Sequence, residues 1–383
     1  LDDISLYEGR EQTAVKHFIL SEYLRRFAHI IGFRYTTITY VDCFSGPWNV
    51  RSDNLADSSF QIAINELRSA RLSLKTHGRT LKLRCYFLEK DSAAFQRLRE
   101  FASSIADVDI QTVNGELAGK IPDIVDFVKK GGPSSFPFIF IDPKGWSGFP
   151  LTAIYPLLRI DPSEVLINFM TNSIVRFVEQ SFASLLGSPK SLINLGSLSG
   201  DDREDAALQS YSDIVKQVGH FSHVCAARIL RPDVNRTSFH LLYCTRSPKG
   251  VEVFKQAEER AMEVMETERA KAGQRKRISR QQQAELFAAS QLHDPHFYES
   301  LRLRYTGVAR RSIQELLERR GRVEYDEVWS LALTNQLVWE RDLKKWIREW
   351  ADAGDLELGG LQERQRVPQR GKGNFLVWQT TKR

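Results

Sequence analysis

Apolar residues along the first 270 positions alternate between two periods. From Val15 to Ile31, the positions Phe18, Ile19, Tyr23, Phe27, Ile30 and Ile31 recur at helical spacing and predict an amphipathic helix. Thr36–Cys43 is β-branched and runs into Phe44-Ser45-Gly46-Pro47, which predicts a strand followed by a tight loop. Helices are then expected over Phe60–Leu74, Ala93–Ile105, Ile121–Lys129 and Leu151–Leu158. Strands are expected between them, over Leu83–Leu88, Asp109–Val113, Phe136–Ile141 and Val165–Phe169. Strands separated by helices require crossover connections, hence a parallel sheet covered on both faces. The pattern then changes. A Ser-, Gly- and Asp-rich loop is expected over 187–205, and Val224–Leu230 with Phe239–Cys244 reads as an antiparallel hairpin around Arg231–Asn235. A helix over Val251–Arg269 ends this domain, placed at residues 1–270.

Residues 271–304 read as a basic, polar connector, and 305–383 as a separate unit. Helices are expected over Arg311–Arg320, Tyr325–Leu333 and Val338–Ala353, then strands over Leu356–Leu358 and Phe375–Gln379. Three helices followed by a basic hairpin is the order of a winged helix-turn-helix. The third helix has two faces. Trp339, Leu343, Trp346, Ile347 and Trp350 line one, and Arg341, Lys344, Lys345 and Arg348 line the other. Arg364, Arg366, Arg370 and Lys372 fall in the loop between the two strands.

Charge sharpens this division. The net charge is +6 over 383 residues, yet residues 271–383 hold 22 basic against 15 acidic side chains. The body is therefore near neutral, and the excess sits where nucleic acid, DNA or RNA, would be held. No apolar stretch approaches the roughly 20 residues of a membrane span, and no signal peptide opens the chain. Four cysteines without a C-x-x-C pair argue against a disulfide scaffold or an all-cysteine zinc site. A cytoplasmic protein is expected, with no membrane partner and no metal.

The candidate chemistry lies at strand ends, where open parallel sheets bind ligands. Asp42, Glu89, Asn114 and Asp142 each close a predicted strand. A carboxylate after the second strand suits a ribose diol, because it accepts from both hydroxyls. Phe44-Ser45-Gly46 is no G-x-G-x-x-G, which points away from a dinucleotide and towards a nucleoside-bearing ligand. Asp142-Pro143-Lys144-Gly145-Trp146 is the sharpest local signal: an acid and a carbonyl for an amino or hydroxyl group, a lysine, and an aromatic that can stack on a base.

Three motifs in this order resemble class I S-adenosylmethionine-dependent methyltransferases, and most closely the three-Cys-motif partner protein family (TcmP). They are Tyr40-Val-Asp42-Cys-Phe44-Ser-Gly46-Pro, Leu88-Glu89-Lys-Asp91 and Phe140-Ile-Asp142-Pro143-Lys-Gly145, preceded by a Lys16-containing helix and followed by Glu164–Phe169. The resemblance spans roughly residues 15–270. It implies a Rossmann-like, seven-stranded α/β sheet with a terminal antiparallel hairpin, and S-adenosylmethionine as cofactor. Asp42, Phe44, Ser45 and Gly46 would then lie at its methionine part, Glu89 at its ribose and Asn114 near adenine. Asp142, Pro143 and Lys144 would face the methyl acceptor, with Lys16 and Trp146 on the substrate. It also implies a partner protein encoded nearby. The expected activity is methyl transfer on or at nucleic acid. Trp48, standing where the first motif usually has a second glycine, keeps open a catalytically inactive DNA-binding or partner-docking subunit. A metal-dependent nuclease built on Asp42, Glu89 and Asp142 is the remaining alternative.

Overall fold

The computed structural model describes residues 4–46, 50–52, 55–143, 151–170, 195–281 and 288–379. Two compact units emerge, Leu1–Val224 with Arg228–Leu292, and His293–Arg383 together with Cys225–Ala227.

The first unit is built on seven strands: β1 (Thr37–Asp42), β2 (Lys82–Glu89), β3 (Asp109–Asn114), β4 (Ser135–Ile141), β5 (Glu164–Phe169), β6 (His223–Leu230) and β7 (Thr237–Thr245). They lie in the order β3-β2-β1-β4-β5-β7-β6. β1 to β5 are parallel neighbours, and β7 enters antiparallel to β5, with Val165 opposite Cys244 and Phe169 opposite His240. The turn between β6 and β7 is closed by the Arg231 N–H donating to the Arg236 carbonyl at 2.8 Å. β1, β4 and β5 are buried along their whole length, as expected of strands covered on both faces. The seven-stranded, antiparallel-ended sheet anticipated from the sequence is therefore present.

Seven helices flank these strands among the described residues: α1 (Glu11–Gly32), α2 (Ser59–Thr76), α3 (Ser92–Ser103), α4 (Leu117–Lys129), α5 (Leu151–Leu158), α6 (Gly200–Gly219) and α7 (Pro248–Gln281). α1 packs on α2 and α7, while α5 packs on α4 and α6. Gly32 makes the first contact close, since a Cβ there would collide with a Leu74 methyl. Ser58 starts α2 by accepting the Gln61 N–H at 3.3 Å, and Asp91 starts α3 by accepting the Ala94 N–H at 2.8 Å.

In this unit the largest departures from the expected helix bounds are at α6 and α7. The described part of the 187–205 loop ends early, because α6 begins at Gly200 and buries Ala207, Leu208, Tyr211 and Val215. α7 continues well past Arg269, where Lys271 pairs with Glu268 at 2.7 Å and Arg275 reaches Glu11 at the start of α1. A local i,i+3 pair and a tertiary pair to α1 thus accompany helix in a polar sequence that apolar periodicity alone did not mark.

In the second unit α8 (His296–Arg320) starts inside the expected connector and ends at Gly321, whose φ of 69° suits glycine. There follow β8 (Arg322–Glu324), α9 (Tyr325–Leu333), α10 (Glu340–Asp352), β9 (Leu356–Gly359) and β10 (Phe375–Trp378). The strands form an antiparallel sheet in the order β8-β10-β9. β8 was not anticipated; three residues are too few for a period, and its pairing with β10 creates it.

Candidate functional site

The chain runs β1 to β2 to β3 on one side and returns with β4 on the other side of β1. The topological switch point therefore lies between β1 and β4, where open α/β sheets bind ligands beyond the carboxyl ends of the strands. Asp42 ends β1 opposite Phe87 and Phe140, Glu89 ends β2 opposite Asn114, and Asp142 follows Ile141 at the end of β4. The four strand-end residues read from the sequence are thus brought to one edge.

Asp142 sits in a charged clamp. Lys16, from the first half of α1, forms an ion pair with its Oδ2, and Asn168 of β5 donates its Nδ2–H to Oδ1 at 2.6 Å. Two elements distant from it in sequence, α1 and β5, therefore hold this carboxylate. The Asn168 amide is 3% exposed, and its own Oδ1 is buried with no hydrogen-bond partner among the described residues. A buried acceptor without a donor is costly, at about 1–3 kcal/mol, and such atoms mark places where a ligand or water belongs. Sequence reading gave Asn168 no role, although one amide inside an otherwise apolar strand was the visible signal.

Asp42 is fully buried. Its Oδ1 accepts the Phe44 N–H at 3.0 Å and its Oδ2 accepts the Ser59 hydroxyl at 2.6 Å. Desolvation pushes its carboxyl up to about 6, against the pull of these two donors, and the Asp142 charge adds to the rise while Lys16 opposes it. The loop after β1 is pinned as well: the Ser45 hydroxyl donates to the Asp42 carbonyl at 2.8 Å, and its N–H donates to Leu88 O at 2.8 Å. Phe44, Ser45 and Gly46 consequently pass beside the end of β2. There Glu89 accepts the Asp91 N–H at 2.6 Å through Oε1. Asn114 donates its side-chain amide to the Glu89 carbonyl at 2.8 Å, so it buttresses the strand end that carries Glu89.

A second brace lies at the start of α1. Asp57 accepts from Ser52 Oγ at 2.5 Å and from the Arg51 N–H at 3.0 Å, and pairs with Arg10. This ties the segment after β1 to the helix carrying Lys16. Pro143 is buried next to Asp142. Lys144, Trp146 and Trp48 lie outside the described residues. Among the described residues no group of three or more His, Cys, Asp or Glu is placed to hold a metal ion.

In the second unit, α10 buries Leu343, Trp346, Ile347 and Trp350 and turns Arg341, Lys345 and Arg348 outward, with Lys344 half-buried. Lys344 pairs with Glu340 at 2.9 Å and Lys345 lies 3.9 Å from Glu349, so part of this face is neutralised within the helix. The loop between β9 and β10 is different. Buried Asn374 staples it, accepting from Gln365 Nε2 at 2.6 Å and the Gln369 N–H at 2.8 Å while donating to Gly360 O at 2.6 Å. Arg364, Arg366 and Lys372 are exposed on that frame, and Arg370 lies over the Trp329 ring at 5.1 Å.

No known protein family and no curated protein matches the chain. Among solved structures, "Loganic acid methyltransferase with SAH" overlays with a TM-score of 0.32 and 10% identity, covering 73% of this chain and 91% of that chain. The fold is defined by the sheet itself, a mixed α/β arrangement of seven mostly parallel strands, consistent with a methyltransferase-like Rossmann fold. Among the described residues no helix is long and apolar enough to cross a membrane.

Proposed function

We propose that the chain is an S-adenosylmethionine-dependent methyltransferase of the three-Cys-motif partner kind, acting on or at nucleic acid. The observation that carries this reading is the clamp of Lys16 and Asn168 on Asp142 at the switch point, with Asp42 and Glu89 ending the two adjoining strands. Phe44, Ser45 and Gly46 would hold the methionine part of the cofactor, Glu89 its ribose and Asn114 its adenine end. The residues at this edge fit such a ligand, since strand-end carboxylates can accept from ribose hydroxyls and the loop after β1 carries no G-x-G-x-x-G for a pyrophosphate. When bound, the cofactor supplies a sulfonium methyl. The residues of this chain orient the acceptor. Asp142, fixed by two donors, receives its proton or a hydrogen bond from it, and Asn168 Oδ1 accepts a second hydrogen.

The order helix, strand, helix, helix, strand, strand supports a winged helix-turn-helix in the second unit, with the stapled basic loop as its wing. DNA or RNA would be held there by phosphate contacts. Calorimetric titration with S-adenosylmethionine tests the enzyme reading: binding is expected to weaken at least about tenfold in Glu89→Ala, through loss of a charge-assisted hydrogen bond. No heat at millimolar cofactor would sink it. Anisotropy with a labelled duplex tests the second unit, where Arg364→Glu with Arg366→Glu should lower the salt slope by about 2. An unchanged slope would remove the wing from the interface.

A further inference from the structure

A cavity of about 240 Å³ opens at the amino ends of the parallel strands, the edge of the sheet opposite Asp42 and Asp142. Phe27, Ile30 and Ile31 of α1, Phe136 of β4 and Val253 of α7 give it an apolar wall. Phe136 stands edge-on to Phe27 and to Tyr35, with ring centroids 5.7 and 5.2 Å away. A flat aromatic ring is the shape such a wall accepts.

Behind the wall lies Glu164, the first residue of β5, buried and unused by the chemistry proposed above. Tyr23 donates to its Oε2, Thr245 donates to its Oε1 at 3.0 Å, and the Tyr23 and Tyr243 hydroxyls are 2.5 Å apart. Burial pushes the Glu164 carboxyl up while these hydroxyls pull it down, and among the described residues no lysine or arginine pairs with it. Because hydroxyls already serve both oxygens, this carboxyl does not call for a cationic ligand. Gly250 lines the same cavity; a Cβ there would strike the Tyr243 hydroxyl and come within 2.8 Å of Glu164 Oε1. The start of α7 can therefore close tightly over the buried carboxyl and leave the open space on the aromatic side.

The charges at the mouth differ in how far they are committed. Arg246 donates to Gly219 O at 2.6 Å, lies over the Phe221 ring at 4.5 Å and faces Asp161 at 3.8 Å. Lys249 pairs with Glu252 at 2.6 Å. Arg34 is exposed, and its guanidinium has no hydrogen bond or ion pair among the described residues. An apolar pocket with a perturbed carboxyl behind it and an uncommitted guanidinium at its mouth is the usual build of a small-molecule site.

We infer that this cavity binds a small aromatic monocarboxylate, its ring against Phe27, Phe136 and Val253 and its carboxylate on Arg34. The volume falls just below the roughly 300–1,000 Å³ of drug-sized sites, so the ligand is fragment-sized, of about a dozen non-hydrogen atoms. The site is independent of the cofactor edge.

The test uses the full chain and naphthalene-2-carboxylate as probe, followed by calorimetry and ligand-observed NMR. Saturable binding is expected with a Kd on the order of 0.1–1 mM, weakened about tenfold by Arg34→Glu and by a similar factor for the neutral 2-naphthalenemethanol. Val253→Trp, which fills the space, should abolish binding. Thermal melting and circular dichroism establish that each variant is folded, and Arg34 is exposed enough for its reversal to leave the fold alone. Absence of saturable binding, or binding that survives Val253→Trp in a folded protein, overturns the site. Equal binding of acid and alcohol overturns the anionic ligand and the role of Arg34.

Discussion

At opposite edges of the same sheet, half-buried Asp142 and buried Glu164 are stabilised by different means. At the carboxyl edge, Asp142 has a full positive charge on Lys16 and an amide on Asn168. At the amino edge, Glu164 has hydroxyls, from Tyr23 and Thr245, with Tyr243 behind them. A cation lets a desolvated carboxylate stay ionised, whereas neutral donors offset only part of the desolvation and favour the protonated acid. The carboxyl edge holds Asp142 on a cation and keeps neighbouring Asp42 on neutral donors, where burial pushes its carboxyl up to about 6. The other keeps a carboxyl quiet beneath an apolar wall.

The largest expected effect comes from removing the cation. Lys16→Met should lower the unfolding free energy by about 3–5 kcal/mol in urea titrations, since it leaves a largely buried carboxylate without its counter-charge. A change below about 1 kcal/mol would place Asp142 in bulk-like solvent. Asp42, the other carboxyl of that edge, gives the next effect. Its folded value of about 6 lies above the ordinary value near 4, so the folded state binds the extra proton. Its contribution to stability is complete below pH 4 and lost as pH rises through 6, by about 2–3 kcal/mol. Asp42→Asn should remove that downward slope between pH 4 and 6; a variant with the parent's pH profile would refute the assignment.

At the amino edge the replacements sort by hydrogen bonding alone. Glu164→Leu should cost about 2 kcal/mol by stranding buried hydroxyls, while Glu164→Gln should stay within about 1 kcal/mol because no counter-ion loses its partner. If Glu164→Gln costs as much as Lys16→Met, the contrast between the edges fails. The smallest effect is expected in the second unit. Lys344→Ala should change stability by no more than about 0.5 kcal/mol, since it loses a half-exposed i,i+4 pair with Glu340.

Much of this was legible in the residues. The β-branched and apolar runs at Thr36–Cys43 and Phe136–Ile141 marked the central strands, because buried parallel strands read as continuous apolar sequence. Asp42, Glu89, Asn114 and Asp142 stood out because each is a polar residue ending such a run. Lys16 and Asn168 could not be placed in the same way. Each joins Asp142 through the packing of α1 and β5 around the switch point, and no local pattern encodes that distance. α6 and the far half of α7 escaped notice for a related reason: their helicity rests on packing and on pairs such as Arg275 with Glu11.

On its own, the sequence determined the alternation of strands and helices, the polar residues at strand ends and the basic bias of the last third. Those features follow from side-chain periodicity and from composition, both local properties. Only the tertiary structure decided which carboxylate received a lysine and which received hydroxyls. It likewise decided that Asn374 staples the loop between β9 and β10 and that Arg370 of that loop lies over the Trp329 ring. Electrostatic environment depends on what burial brings together across the chain, and that is a property of the folded sheet.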